Sequence, residues 1–288
     1  MSGLSGTVVA EKLPTAPVPA PRRGSFLPPF RWIFPATTLG LILFIILPPI
    51  TLLSLSVNDR FDLVWGIFPA GVSFDLYRES GPAILRSVAH SMRIAVPTVI
   101  LSFLVGLPVA YALVRLRFPG RGLLAELVNL PLVFPPIVLA FGLMQMFKQG
   151  PFAGVSPWVA IVLGHTIVSL PFMIQPIIAA LQRVDIAVED AARSLGASPL
   201  RAFLTTVLPI IVPSVLTGVA LVFARSISDF EITLLLTTPE ISTMPIAIYQ
   251  AFESGSTRLG AAVAMATNLF AVGVIVILEV AVRRVRWW

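Results

Sequence analysis

Apolar residues in this chain come in long uninterrupted blocks. They show neither the alternation of a half-buried strand nor the three-and-four spacing of a surface helix. A helix needs about 20 mostly apolar residues to cross the hydrocarbon core of a bilayer. Six blocks reach that length: residues 32–57, 91–114, 123–147, 157–181, 209–236 and 259–282. Each is expected to be helical, because an open strand in lipid leaves backbone groups unpaired. The pattern predicts an all-α membrane protein with six transmembrane helices. Several blocks carry internal proline: Pro97 and Pro108, then Pro131, Pro135 and Pro136, then Pro171 and Pro176. Each removes a backbone donor and favours a kink. Bends that merely fit the bundle and bends that serve gating both remain open.

One polar interval breaks this pattern. The segment "EDAARSLGASPLRAFLTTVLP", residues 189–209, lies between the fourth and fifth blocks. Asp185 is placed to cap a helix that carries Glu189 and Asp190 early. Glu189 and Arg193 stand four apart in the order that favours a surface pair. Gly196 suits a C-terminal turn with left-handed backbone. Ser198-Pro199 then reads as N-cap and first helical residue. Leu200, Phe203, Leu204 and Val207 follow at helical spacing as one apolar stripe, with Arg201 off it. The segment is predicted to be a short helix, a glycine turn and an amphipathic helix entering the fifth span. A helix lying on the lipid interface and a helix offered to a cytoplasmic partner both fit these residues.

Composition agrees with a membrane setting. Hydrophobic residues make up 57% of the 288 and charged residues only 12%, about half the share usual in a soluble domain. The net charge of +6 reports topology and anionic lipid contact, not nucleic acid. With no cysteine, disulfide and thiolate chemistry are excluded. One side of the predicted bundle holds Lys12, Arg22, Arg23, Arg31, Arg115, Arg117, Arg121, Arg183, Arg193, Arg201, Arg283, Arg284 and Arg286. The other holds Arg60, Arg78, Arg86, Lys148 and Arg258. Short basic loops stay cytoplasmic, so both termini and the 189–209 segment are expected inside. Residues 1–31, rich in Pro and Ala, are predicted to be a disordered cytoplasmic tail and not a signal peptide. Residues 32–288 then form a single transmembrane domain with a loop at about 182–208.

The polar interval resembles a known motif. Asp190-Ala191-Ala192, three residues, Gly196, nine residues, then Thr206-Val207-Leu208-Pro209 is similar to the EAA loop of binding-protein-dependent ABC importer permeases. There the pattern is Glu-Ala-Ala, three residues, Gly, nine residues, Ile-x-Leu-Pro. Asp190 and Thr206 depart from it mildly. Further stretches resemble the spermidine/putrescine-type branch: "NDRF" and "WGIFPAGVSFDLYRE", "YALVRLRFPGRGLL" with "LPLVFPPIVLAFGL", and "SISDFEITLLLTTPEISTMPIAIYQAFESG". The resemblance covers most of the chain beyond the tail.

It implies a type I importer permease fold with a cytoplasmic coupling helix between the fourth and fifth spans. It also implies partners: two cytoplasmic ATP-binding subunits, a second permease that is a copy or a paralogue, and an extracytoplasmic solute-binding protein. The coupling residues carried over are Glu189, Asp190, Ala191, Ala192, Gly196, Ala197, Leu200, Phe203, Leu204 and Pro209. Leu200, Phe203 and Leu204 either fill the partner's groove or pack on this chain's own helices. No phosphate-binding Gly-x-x-x-x-Gly-Lys-Ser/Thr exists: the only lysines, Lys12 and Lys148, do not follow glycine. ATP hydrolysis is therefore expected in a separate subunit, and the chain is not expected to be an enzyme or to hold a cofactor.

Arg225, Asp229 and Glu231 fall in or near the outer half of the fifth span. Charges there cost about 3 kcal/mol each and normally face a cavity or a partner. Arg225 and Asp229, four apart, are spaced so that they could pair on one helix face. With Ser228 they are candidates for the substrate path; a structural ion pair is the alternative. "SISDFE" resembles the acidic pair of polyamine permeases, which makes a spermidine/putrescine-like solute the leading expectation. "FARSISDF" is also similar to the Ala-Arg-x-x-x-Glu-Phe pattern of permeases for oxyanions, ferric iron or phosphonates, which remain the alternative. A secondary transporter using Asp229 and Glu231 as an ion site is the alternative of another class. His165 and His90 lack a second ligand at metal spacing, so His165 is expected to hydrogen-bond across helices.

Overall fold

The computed structural model describes residues 32–58, 63–64, 68–69 and 71–285. The predicted tail, the "NDRF" charges, the inside arginine Arg286 and most of the "WGIFPAG" stretch lie outside the described residues. By packing, the chain divides into Met1–Leu47 and Pro48–Trp288. The described part of the first unit is the apolar beginning of α1 (Ile33–Val57), a helix that continues through Pro48-Pro49.

In the second unit a two-stranded antiparallel hairpin, β1 (Leu63–Val64) and β2 (Phe68–Pro69), precedes α2 (Asp75–Arg115). α2 has 41 residues, about 60 Å at 1.5 Å per residue, roughly twice the hydrocarbon thickness. The expected span, 91–114, is thus only its C-terminal part. The helix starts at Asp75, where the Ser73 hydroxyl accepts the Asp75 N–H. Pro97 and Pro108 leave it continuous.

α2 buries mostly small and hydroxyl residues, with Ile94 and Leu113 among them, and turns large apolar ones outward. Ser87, Ser91, Ala95, Thr98, Ser102, Gly106 and Ala110 are buried, while Val96, Ile100 and Leu104 are exposed. Apolar side chains gain nothing by leaving lipid, so small residues that allow close backbone approach take the interior instead. Gly106 shows the result: an added methyl would lie 2.9 Å from the Met173 side chain.

The third block is a broken span. α3 (Arg121–Val133) and α4 (Pro136–Lys148) meet at 106°. Phe134 and Pro135 are both extended, with ψ of 140° and 131°. Each precedes a proline, whose ring disfavours helical backbone at the residue before it. The kink expected from the prolines of block 123–147 is thus a full break into two helices. Proline alone does not decide the break: Pro171 and Pro176 sit inside an intact α5 (Pro157–Leu181), as Pro48-Pro49 do in α1.

The chain next forms α6 (Ile186–Ser194), α7 (Pro199–Ala202), a π turn over Phe203–Val207 and α8 (Leu208–Ile227). From Pro199 to Ile227 the helix is one 29-residue run, so the amphipathic helix runs into the fifth span without a break at Pro209. Pro209 has no N–H to give Thr205, and the preceding turn widens, with Leu208 N–H bonding to the Phe203 carbonyl. The fifth block is also shorter than expected. Helix ends at Ile227 and resumes as α9 (Glu231–Leu236), followed by α10 (Met244–Glu253) and α11 (Thr257–Val285). Five helices are long and apolar enough to cross a membrane, or six if α3 and α4 count as one span, among the described residues. Their core is α5 wedged between α2 and α8: Met173, Ile174, Ile177 and Leu181 of α5 cluster with Ala110 of α2 and Ile211 and Val215 of α8.

Candidate functional site

The predicted elbow forms residue by residue. The Asp185 side chain accepts the Ala187 N–H at 2.9 Å and caps α6. Gly196 has φ +90°. Its turn is closed by Ala197 N–H to the Ala192 carbonyl at 3.1 Å and Gly196 N–H to the Arg193 carbonyl at 2.9 Å, the paired bonds that end a helix on a left-handed residue. Ser198 caps the return helix, accepting from Arg201 N–H, with Pro199 first inside.

Side chains of the elbow divide differently from the prediction. Glu189 is not on the surface with Arg193. It is 4% exposed and accepts a 2.6 Å hydrogen bond from the Tyr111 hydroxyl of α2. Arg193 pairs with Asp190 instead, at 3.7 Å, both exposed. Phe203 turns inward and meets Tyr111 edge-on, ring centroids 5.0 Å apart. Of the three apolar groove candidates, only Leu200 and Leu204 are exposed. Ala191 is exposed, Ala192 and Ala197 are half-buried, and Pro209 is exposed on the α8 side of the π turn. Sequence reasoning missed Leu195, which is 90% exposed and stands beside the turn from Leu200 at 68%. An apolar residue just before the capping glycine was the available signal. Nothing in the sequence pointed to Tyr111, 78 residues from Glu189.

The intramembrane charges meet at the α8–α9 break. Asp229 is 1% exposed, facing the interior and not an open path. Its Oδ1 accepts the N–H groups of Ile232 at 3.0 Å and Thr233 at 3.3 Å, so it caps α9. Its Oδ2 lies 2.7 Å from Arg225 Nη1, the pair that their spacing allowed; this is a charge contact without the angle of an aligned hydrogen bond. His165 of α5 joins them. Nδ1 is 2.9 Å from the Ser226 hydroxyl and Nε2 is 3.0 Å from the Thr233 hydroxyl, with Asp229 Oδ1 at 3.4 Å. A ring carrying its proton on Nε2 satisfies these contacts, accepting from Ser226 and donating to Thr233. One buried knot thus ties α5, α8 and α9 where the span is interrupted. Ser228 is exposed, and Arg225 and Glu231 are half-buried beside it. No group of three His, Cys, Asp or Glu side chains is placed to hold a metal among the described residues.

This architecture recurs in solved transporters. A chain of a bacterial ABC transporter that imports alginate superposes with TM-score 0.71, covering 88% of this chain and 96% of that one at 16% identity. A chain of the MetNI methionine ABC transporter gives 0.57, covering 70% and 94% at 19% identity. The fold is that of a multi-pass ABC importer permease. Residues 99–287 match the family described as the binding-protein-dependent transport system inner membrane component, and the chain belongs to that family.

Among its relatives, the molybdenum transport system permease protein ModB of Escherichia coli (strain K12) is 35% identical over 191 residues, 62% of this chain and 83% of the relative. The molybdate/tungstate transport system permease protein WtpB of Thermococcus kodakarensis is 31% identical over 198 residues, 69% and 78%. A probable sulfate transport system permease protein, cysT of Nephroselmis olivacea, is 28% identical over 251 residues, 81% and 84%. The chain is the permease half of an ABC importer in the inner membrane, non-catalytic like its relatives. Permeases of this family work with ATP-binding subunits, a second permease and a solute-binding protein. The polyamine branch expected from "SISDFE" is corrected: these relatives are named for molybdenum, molybdate/tungstate and sulfate transport.

Proposed function

We propose that this permease forms half of the path for a tetrahedral oxyanion of the molybdate or sulfate class, delivered by an external binding protein and driven by ATP hydrolysed on an inner partner. The 35% identity to a molybdenum permease carries the substrate class. The site supports it from the other direction. Asp229, the residue a polycation would need, is buried and committed to Arg225, His165 and the cap of α9. An ion-gradient carrier using Asp229 as its ion site meets the same objection and lies outside the family.

Both termini and the elbow lie on the cytoplasmic side in this reading, as the distribution of short basic loops supports. Leu195 and Leu200 are the contact points for the ATP-binding subunit. Two large apolar side chains exposed on either side of the Gly196 turn in sequence mark a surface that a partner covers. Ser228 and the half-buried flank of Arg225 are the polar groups of the path nearest the open side.

The test is reconstitution of the full importer in proteoliposomes with ATP and the cognate binding protein, measuring uptake of molybdate, sulfate and spermidine in parallel. Uptake of an oxyanion that needs ATP is expected, together with loss of ATP-binding subunit co-purification in Leu195→Glu. ATP-driven spermidine uptake without oxyanion uptake sinks the substrate class. Unchanged co-purification in Leu195→Glu sinks the docking assignment.

A further inference from the structure

Glu189 is anomalous within the elbow. The other ionised side chains of α6, Asp190 and Arg193, are exposed and bind each other. Glu189 points inward, one oxygen bonded to Tyr111 and the other without a hydrogen-bond partner. A buried carboxylate is expensive unless the contact it makes has a use. That contact is with the last turns of α2, a helix with no covalent connection to the elbow. Arg115, one turn further along α2, donates from Nη2 to the Val184 carbonyl at 2.7 Å, immediately before the Asp185 cap. Tyr111 also stacks edge-on against Phe203 of the return helix. The C-terminal end of α2 therefore grips the elbow at residues 184, 189 and 203, on both of its limbs.

We propose that Tyr111 is a positioning residue that clamps the elbow to α2 through Glu189, so that a displacement of the elbow moves α2 together with α8. The elbow continues covalently into α8 as one helix from Pro199, which alone pulls only one element of the bundle. Between Phe203 and α2 an apolar groove of about 470 Å³ opens, lined by Leu107, Tyr111, Leu116, Leu200 and Leu204 among others. Without the clamp this groove offers room for the two limbs to slide apart. Hydrogen bonds to a carboxylate are among the stronger single contacts available, and a buried one resists shear that an apolar contact permits. The inference rests on the elbow being the surface on which the ATP-binding subunit docks.

The chain has no cysteine, so labels can be placed singly. Spin labels at L116C and L204C, both exposed and on opposite sides of the groove, report whether α2 and the elbow move together. Distances are measured in the assembled importer in nanodiscs, nucleotide-free and trapped with ATP and vanadate. With Tyr111 intact, one narrow distance common to both states is expected. Tyr111→Phe, which keeps the ring on Phe203 and deletes only the hydroxyl, is expected to broaden it or split it between states. Molybdate moved per ATP hydrolysed is expected to fall about tenfold, as loss of one charge-assisted hydrogen bond permits. Glu189→Gln retains an acceptor oxygen but loses the charge that strengthens the bond, and is expected to fall between wild type and Tyr111→Phe. A distance that already changes in wild type overturns the clamp, as does Tyr111→Phe matching wild type in distance and coupling. Equal loss of assembly, ATPase and transport in Tyr111→Phe also overturns it, since that marks a purely structural contact. Failure of the wild-type chain to bind an ATP-binding subunit overturns the docking reading and the clamp together, and co-purification reads that separately.

Discussion

Asp229 offers the sharpest test of the buried knot, because its two oxygens do different work. Oδ2 faces Arg225 at 2.7 Å, and Oδ1 caps α9 through Ile232 and Thr233. Asp229→Ala removes both. Breaking a fully buried ion pair by deleting one partner costs about 3–5 kcal/mol. Arg225 retains 23% side-chain exposure, so water relieves part of this, and roughly 2–3 kcal/mol remains for the stranded guanidinium. Loss of the cap adds about 1 kcal/mol. Asp229→Asn keeps an oxygen for the cap and is expected to lose only the charge part. The decisive comparison is the double variant Arg225→Ala/Asp229→Ala. It leaves no stranded charge, so it is expected to be more stable than Asp229→Ala alone, by about 1–2 kcal/mol. Thermal unfolding of the purified permease in nanodiscs, followed by intrinsic tryptophan fluorescence, gives the order. The expected sequence of midpoints is wild type, then Asp229→Asn and the double variant, then Asp229→Ala lowest. A double variant as unstable as the sum of the two single variants would refute the pairing argument and reduce Asp229 to a helix cap.

Two other substitutions report on backbone geometry. Gly196 is left-handed with open space where a Cβ would stand, so Gly196→Ala meets no clash and its cost is conformational, about 1–2 kcal/mol. That cost falls on the elbow, so ATP-binding subunit co-purification should weaken along with a modest fall in the unfolding midpoint; unchanged co-purification would contradict this. At Gly218 an added methyl would lie 2.9 Å from Met173 Sδ and 3.2 Å from the Met173 carbonyl oxygen. Backbone cannot yield as a side chain can, so Gly218→Ala is expected to destabilise by about 1–3 kcal/mol and Gly218→Leu to prevent folding; a wild-type midpoint for Gly218→Ala would show that α5 and α8 do not pack as closely as described.

Much of this protein follows from local rules that the bare chain obeys. Long apolar blocks become spanning helices because lipid leaves the backbone no other way to pair its hydrogen bonds. The elbow was legible to the residue, since Asp185, Gly196, Ser198 and Pro199 act on backbone groups within a few positions of themselves. The pairing of Arg225 with Asp229 was readable for the same reason, one helical turn apart. What sequence spacing misjudged were choices between partners near in the chain and partners near in space. Glu189 had Arg193 four residues away, yet it bonds Tyr111, because folding brings the C-terminal end of α2 against the elbow and buries that side. Phe203 left its stripe for the same contact. Asp229, for which a lining role and a structural ion pair both stood open, packs as a capping and pairing residue with His165 closed over it. Local hydrogen bonds and backbone sterics are fixed by neighbours along the chain. Which face of each polar residue meets water, lipid or another helix is fixed only when α2, α5 and α8 pack, because burial is a property of the assembled bundle and not of any segment within it.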